Sequence, residues 1–340
     1  MSVQLRGVRK AFGSVVAVDG VDLELADGGV TSLVGPSGCG KTTTLRLIAG
    51  FEEPDRGEIS LHGQLVAGPK VSLPPEQRRV GVVFQHLALF PHLDVAGNIA
   101  YGLRRLDRKA RAARVGELLD LVGLPGFERR APQALSGGQA QRVAVARALA
   151  AEPEVVLLDE PFSSLDVGLR AGLRAEIRRI LREAGVTALL VTHDQSEALS
   201  MGDRVAVMFA GRIAQVGTAE EVYRTPASVE VGDFLGDANA VAGVARGGRM
   251  ETPVGTFVVT TGDGPMVVLV RPEDLVIEAD PQGNAVVVDC DYLGPDRLVL
   301  LRLATGDELT ARLPARQALS IGDAVRATAR LDGPVVAFPA

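Results

Sequence analysis

The chain has no tryptophan, only three tyrosines, two cysteines and four histidines in 340 residues. An aromatic share of 4% leaves no surface of rings for exposed bases to stack on. A net charge of −6 supplies no basic field for a phosphodiester backbone, so no nucleic acid is expected as a partner. Cys39 and Cys290 lie far apart and cannot build a disulfide framework or a thiolate metal cluster; both read as small reduced side chains. Long apolar runs are missing too. The longest stretch without Asp, Glu, Lys or Arg runs from Val80 to Leu93, contains Pro91 and is shorter than the roughly 20 residues that span a bilayer. The opening Met-Ser-Val-Gln-Leu-Arg has no apolar core of the secretory kind. The expectation is a cytosolic protein that does not cross a membrane by itself.

What is present is a globular composition, 46% hydrophobic, in a chain longer than most single domains, which predicts two domains. Residues 1 to about 236 read as one α/β unit. Gln4 to Leu25 alternates as a small antiparallel sheet would, and Thr31 to Val34, Val80 to Phe84, Val155 to Leu158, Ala188 to Thr192 and Arg204 to Phe209 read as strands. Between His86 and Pro153 the spacing is helical, with Ala112, Val115, Leu118, Leu119 and Val122 on one face, so a helical subdomain is inserted at about 86–153. From residue 237 the texture changes to short β segments parted by Gly, Pro or Asp, which predicts a small all-β barrel or sandwich over 237–340. Gly232 to Asn239 reads as the linker.

Lysine is scarce, with four in the chain, and Lys41 stands in Gly35-Pro-Ser-Gly-Cys-Gly-Lys41-Thr42. The strand before this segment and the helical spacing from Thr43 to Ala49 make it a phosphate-binding loop. Its glycines turn backbone N–H groups onto phosphates, Lys41 adds positive charge, and Thr42 offers a hydroxyl to Mg²⁺. Pro36, Ser37, Gly38, Cys39, Gly40 and Thr43 complete the loop. A second strand ends in Asp159-Glu160, where Asp159 can reach the Mg²⁺ shell and Glu160 can polarise a water toward a γ-phosphate. Leu135-Ser-Gly-Gly-Gln139 directly precedes a helix and forms a second anion-binding cap, one more than a single nucleotide readily uses within one subunit.

With this second cap the whole chain resembles the ATP-binding cassette subunits of ABC transporters. The resemblance implies a P-loop ABC ATPase core of α/β class with an inserted helical subdomain, followed by a small all-β, OB-like TOBE domain. It implies ATP and Mg²⁺ as ligands, and a head-to-tail dimer in which Ser136, Gly137, Gly138 and Gln139 of one subunit complete the ATP site of the other. It places Phe12 against adenine, where the family more often has Tyr or Trp. It makes Gln85 the glutamine that senses Mg²⁺ and the attacking water, Asp166 of Ser163-Ser-Leu-Asp166 part of a loop crossing the dimer interface, with Ser164 where Ala is common, and His193 the switch histidine at the γ-phosphate. Catalytic roles therefore fall to Glu160, His193 and Gln85, and Mg²⁺ contacts to Thr42, Gln85 and Asp159.

Val80 to Gln85, Leu89 to Leu93, Asn98 to Leu103, Gly211 to Gly217 and Val270-Arg-Pro-Glu-Asp-Leu275 are similar to the importer subfamily serving maltose, polyamines, sulfate and ferric iron, and Tyr292 to Leu298 leans toward ferric iron and polyamines. The partners implied are a second copy of the chain, integral membrane permease subunits docking near Gly81 to Leu103, and indirectly a periplasmic or lipoprotein substrate-binding protein. The place implied is the cytoplasmic face of a bacterial membrane. Two other classes stay open: a soluble ABC ATPase outside transport, though the chain has neither a coiled-coil insertion nor two cassettes, and a β domain that binds an anion or oligonucleotide.

Overall fold

A computed structural model of the chain describes residues 2–163, 167–260, 262–331 and 333–340. Two compact units divide it, residues 1–220 and 221–340. In the first, β3 (Val30–Val34), β7 (Val80–Val83), β8 (Val155–Asp159), β9 (Thr187–Thr192), β10 (Arg204–Phe209) and β11 (Arg212–Gly217) form one sheet in the order β11-β10-β3-β9-β8-β7. All neighbours are parallel except the β10–β11 hairpin. A parallel sheet is covered on both faces, which explains why β8 and β9 read as unbroken apolar runs. Alternate residues serve opposite faces: Val156, Leu158, Ala188 and Leu190 join one core, and Val155, Leu157, Leu189 and Val191 the other.

The first core is closed by α2 (Val95–Ala100), α3 (Arg108–Leu121), α4 (Gly137–Leu149) and α5 (Val167–Glu183). Asp94 and Asp107 start α2 and α3 as N-caps, accepting from Gly97 N at 2.7 Å and Ala110 N at 2.8 Å. The second core lies between the sheet, α1 (Lys41–Ala49) and an antiparallel sheet of β1 (Val3–Phe12), β2 (Val15–Leu25), β4 (Arg56–Leu61), β5 (Gln64–Gly68) and β6 (Val71–Ser72). The helix α6 (Gln195–Met201) packs on β3 and β9. No described helix is long and apolar enough to cross a membrane.

The second unit holds two five-stranded antiparallel sheets. One is β14 (Gly255–Val258), β13 (Arg249–Thr252), β12 (Asn239–Arg246), β15 (Gly264–Val270) and β21 (Ala337–Pro339) in that order; the other is β16 (Leu275–Ala279), β20 (Ala324–Ala329), β17 (Ala285–Tyr292), β18 (Asp296–Leu303) and β19 (Glu308–Pro314). They share one core, with Val241, Phe257 and Val268 from the first sheet meeting Ile277, Val287, Leu301 and Val325 from the second. Buried Asn239 joins the sheets, donating to the carbonyls of Val270 at 3.1 Å and Thr310 at 2.9 Å and accepting from Thr310 N at 2.7 Å. Tyr292 stands exposed while Phe257 is buried, so these rings form no common platform.

The compact division falls before residue 236, the boundary expected from sequence. The reason is Arg271, whose guanidinium donates to the carbonyls of Tyr223 (2.8 Å), Gly232 (2.8 Å) and Gly236 (2.6 Å) and lies 4.0 Å over the Tyr223 ring. It holds the segment with α8 (Val229–Phe234) and the end of α7 (Ala219–Arg224) to the β unit. Of the expected linker at 232–239, residues 232–234 end α8 and Asn239 begins β12, which leaves 235–238 as the connection.

Candidate active site

The loop between β3 and α1 is threaded through spaces too narrow for side chains. A Cβ on Gly35 would lie 2.1 Å from the Met208 carbonyl, and one on Gly40 2.1 Å from the Ala17 carbonyl. Gly40 also takes φ 109, a left-handed conformation that lets it cap α1 where another residue would be strained. Pro36, Ser37 and Gly38 form the exposed crest. Lys41 is buried, and its Nζ donates to the carbonyls of Gly35 at 2.8 Å and Pro36 at 2.9 Å. Those acceptors are neutral, so an anion entering the loop would offer the ammonium a stronger, charge-assisted partner. Cys39 Sγ lies 3.8 Å from the same Nζ, and burial pushes its thiol pKa up despite the nearby ammonium, which keeps it protonated.

Across the mouth of the loop, Thr42 Oγ1 donates to Asp159 Oδ1 at 3.0 Å. Burial raises the Asp159 pKa, the Thr42 hydrogen bond opposes this, and the neighbouring Glu160 charge adds to it. A hydroxyl and a carboxylate already side by side fit Mg²⁺, which takes oxygen donors and is usually held by one or two protein groups plus phosphate and water. Among the described residues no cluster of three or more His, Cys, Asp or Glu forms a complete protein cage.

Glu160 has φ 43, a left-handed conformation costing on the order of 1 kcal/mol or more in a residue with a side chain. The turn is held by its N–H on the Val191 carbonyl (2.9 Å) and by Ser163, whose N (3.3 Å) and Oγ (2.9 Å) donate to the Glu160 carbonyl. This places Glu160 Oε2 3.1 Å from His193 Nδ1 and 3.5 Å from Gln85 Nε2. Gln85 follows the end of β7 and His193 follows β9, so strand ends on either side of β8 bring amide and imidazole to one carboxylate. The hydrogen bond described for Gln85 goes to Glu160, and none joins it to Asp159 or Thr42. A carboxylate so flanked can take a proton from a water placed between itself and a phosphate held by the loop.

Phe12 ends β1, is 47% exposed and pairs in register with exposed Val15, while Ala17 on the same strand touches Gly40. An apolar ledge therefore lies close to the phosphate loop, with Lys10 Nζ 5.3 Å from the Phe12 ring. Thr43 follows in the first turn of α1. Ser136 behaves differently. It N-caps α4 in a capping box, with Gln139 N donating to Ser136 Oγ at 3.4 Å and Ser136 N to Gln139 Oε1 at 3.0 Å. Ser136 and Gly137 are exposed, and no described bond links Ser136, Gly137, Gly138 or Gln139 to the phosphate loop. Ser164 and Asp166 lie outside the described residues. The structure thus assembles Phe12, the loop, Asp159, Glu160, Gln85 and His193 in one unit and leaves the second cap apart from them.

Several polar groups beside the site escaped the sequence reading. Asp194 caps α6 through Glu197 N at 2.9 Å, and Thr192 Oγ1 donates to buried Glu197 Oε2 at 2.6 Å. The spacing Asp194-x-x-Glu197 after an apolar strand was the available helix-start signal.

A phosphate loop on a core strand, an acidic pair at the end of a strand two places away and a free capped helix define a nucleoside-triphosphate-hydrolysing cassette. The family described as ABC transporter matches residues 18–163, and the TOBE domain matches 268–336. The chain is 47% identical over 346 residues to the Fe(3+) ions import ATP-binding protein FbpC 2 of Rhodococcus jostii, covering 99% of each. It is 44% identical to the spermidine/putrescine import ATP-binding protein PotA of Rubrobacter xylanophilus, covering 96% of this chain and 90% of that one. A sulfate/thiosulfate import ATP-binding protein, CysA 2 of Chromobacterium violaceum, is 50% identical over 79% of this chain and 74% of its own. Among solved structures, the dimeric bacterial ABC transporter cassette MJ0796 matches with TM-score 0.56 at 30% identity, over 64% of this chain and 98% of that one. The chain belongs to the ABC transporter family, as an ATP-binding subunit with a C-terminal TOBE domain.

Proposed function

We propose that the chain is the ATP-hydrolysing subunit of a binding-protein-dependent importer, working as a homodimer on the cytoplasmic face of the membrane beneath its permease subunits, with ferric iron as cargo. The single observation that carries the catalytic part is the Glu160 carboxylate held between Gln85 and His193, next in sequence to Asp159, which meets Thr42 of the phosphate loop. In the proposed reaction Lys41 exchanges the Gly35 and Pro36 carbonyls for phosphate oxygens. Backbone N–H groups of residues 38–43 take up charge developing on the β- and γ-phosphates. Glu160 accepts a proton from the attacking water, Gln85 orients that water, and His193 contacts the γ-phosphate while keeping the carboxylate aimed. Mg²⁺, held by Thr42, Asp159 and the Gln85 amide oxygen, would supply charge neutralisation on the phosphates. Phe12 would stack on adenine.

The cargo proposal is supported by R. jostii relatives that are 47–48% identical over at least 99% of this chain and carry Fe(3+) import in their names. The test is reconstitution of the subunit with its permease and binding protein in vesicles. ATP-driven accumulation of ferric ion, and not of spermidine or sulfate, is expected; accumulation of spermidine would reassign the cargo to polyamines. Retained ATPase activity with no permease association would favour an ATPase outside transport.

Residues 1–220 carry every proposed nucleotide contact, and 221–340 have a core of their own. Truncation after 220 is expected to leave ATP affinity within about threefold of the full chain while weakening nucleotide-free dimerisation, because a second contact raises the effective concentration of the two cassettes. Equilibrium titration and sedimentation check the two halves separately. Loss of ATP binding by a folded truncated protein would make the β unit part of the catalytic body.

A further inference from the structure

We infer that Arg170 is a positioning residue for hydrolysis, tying the loop that follows Glu160 to the turn that carries His193. Its Nη2 donates to the Ser163 carbonyl at 3.4 Å, and its Nη1 lies 3.8 Å from Asp194 Oδ2. Both contacts lead straight to the reacting groups. Ser163 donates twice to the Glu160 carbonyl and so sustains the left-handed turn that directs the Glu160 side chain. Asp194 adjoins His193, its N–H donates to Thr192 Oγ1 at 3.0 Å, and its Oδ1 is committed to the α6 cap. Arg174, one helical turn on, lies 3.9 Å from Asp194 Oδ1.

One guanidinium on α5 therefore spans the two turns whose relative placement sets the 3.1 Å approach of His193 Nδ1 to Glu160 Oε2. A planar fork can reach two acceptors at once, which an ammonium on a flexible stem does not reproduce. The groups around the bridge are otherwise satisfied: Glu197 takes the Thr192 hydroxyl, and Asp194 takes its helix N–H. Arg170, in contact with both Ser163 and Asp194, registers the two loops against each other. The inference rests on Glu160 and His193 acting together in hydrolysis.

The experiment compares Arg170→Gln, Arg170→Lys, Asp194→Asn and the Arg170→Gln/Asp194→Asn double variant in the full-length protein, reading kcat, KM for ATP, equilibrium ATP affinity and thermal midpoint. Asparagine still caps α6, so Asp194→Asn removes charge without removing the cap. Arg170→Gln is expected to lower kcat roughly 10- to 100-fold, the scale set by small misplacement of reacting groups, with ATP affinity within about twofold and the thermal midpoint unmoved. Arg170→Lys should recover little of the loss, and the double variant should be no slower than the slower single one, because both remove the same bridge.

A kcat for Arg170→Gln within about twofold of wild type would overturn the inference, as would full rescue by lysine or additive losses in the double variant. If Arg170→Gln fails to fold, Arg170→Lys and Asp194→Asn decide, and wild-type kcat in either overturns it. Glu160→Gln is measured alongside. If that variant keeps its turnover, the catalytic reading and this inference fail together; if it is inactive while Arg170→Gln is normal, only the positioning role is lost.

Discussion

Glu160→Gln should abolish steady-state ATP turnover, a loss of about 10²- to 10⁴-fold, while leaving nucleotide binding near normal. The amide keeps the length and shape of the carboxylate and is no worse than it at φ 43, so the turn made with Val191 and Ser163 is expected to persist. What disappears is basicity. Glutamine can still accept from His193 Nδ1 through its amide oxygen, but it cannot take a proton from water. The nucleotide should then stay unhydrolysed and hold two cassettes together, so that size-exclusion chromatography with ATP and Mg²⁺ shows a larger dimer fraction for the variant than for wild type. Turnover reduced less than tenfold, or a variant as monomeric as wild type under those conditions, would remove Glu160 as the base. The binding half is independent of this result, because Lys41, Thr42 and Asp159 form their contacts without Glu160.

These residues were legible in the sequence because each sits in a short segment whose chemistry is local. Gly35 to Thr42 needs its glycines where the carbonyls of Met208 and Ala17 leave no room, and Val155 to Asp159 needs apolar residues because the sheet is covered on both faces. The Arg170 bridge was not legible. It joins residues on three elements and depends on a left-handed turn at Glu160 that no side-chain pattern announces. The same reason hid the edge of the second unit: Arg271 draws Tyr223, Gly232 and Gly236 to itself from more than thirty residues away, and no local composition marks that attachment. Strands β4 to β6, β11, β12, β13, β16 and β21 were also missed. Arg56–Leu61 mixes Gly and charge into a strand paired on both sides, Gln64–Gly68 is short and ends in Gly, and β16 follows Pro272, where the proline and two acids obscure the alternation that begins at Leu275.

Ser136→Arg should stop hydrolysis as completely as the loss of Glu160, yet leave ATP binding by the single subunit within a fewfold of wild type. The N-terminus of α4 is exposed, its serine and Gln139 satisfy each other in the capping box, and no described bond joins them to the phosphate loop. Losing the cap costs on the order of 1 kcal/mol of helix stability, which α4, buried along Val143 to Leu149, can bear. Catalysis has less tolerance, since a guanidinium placed at the positive end of a helix would fill and over-charge a site meant to receive a phosphate from elsewhere. In a head-to-tail dimer that phosphate belongs to the ATP on the partner's loop. A mixed dimer then separates the geometries: with Ser136→Arg in one chain and Lys41→Ala in the other, both lesions fall on the same composite site and one intact site remains. Residual ATP turnover from that intact site is expected in the mixed dimer, whereas a cap serving its own chain's loop would leave neither site able to hydrolyse. Crosslinking with ATP bound supplies the decisive reading, since cysteines placed at Ser136 and Ser37 should join two chains, whereas a link formed within one chain would reject the composite site and return the second cap to a purely structural role.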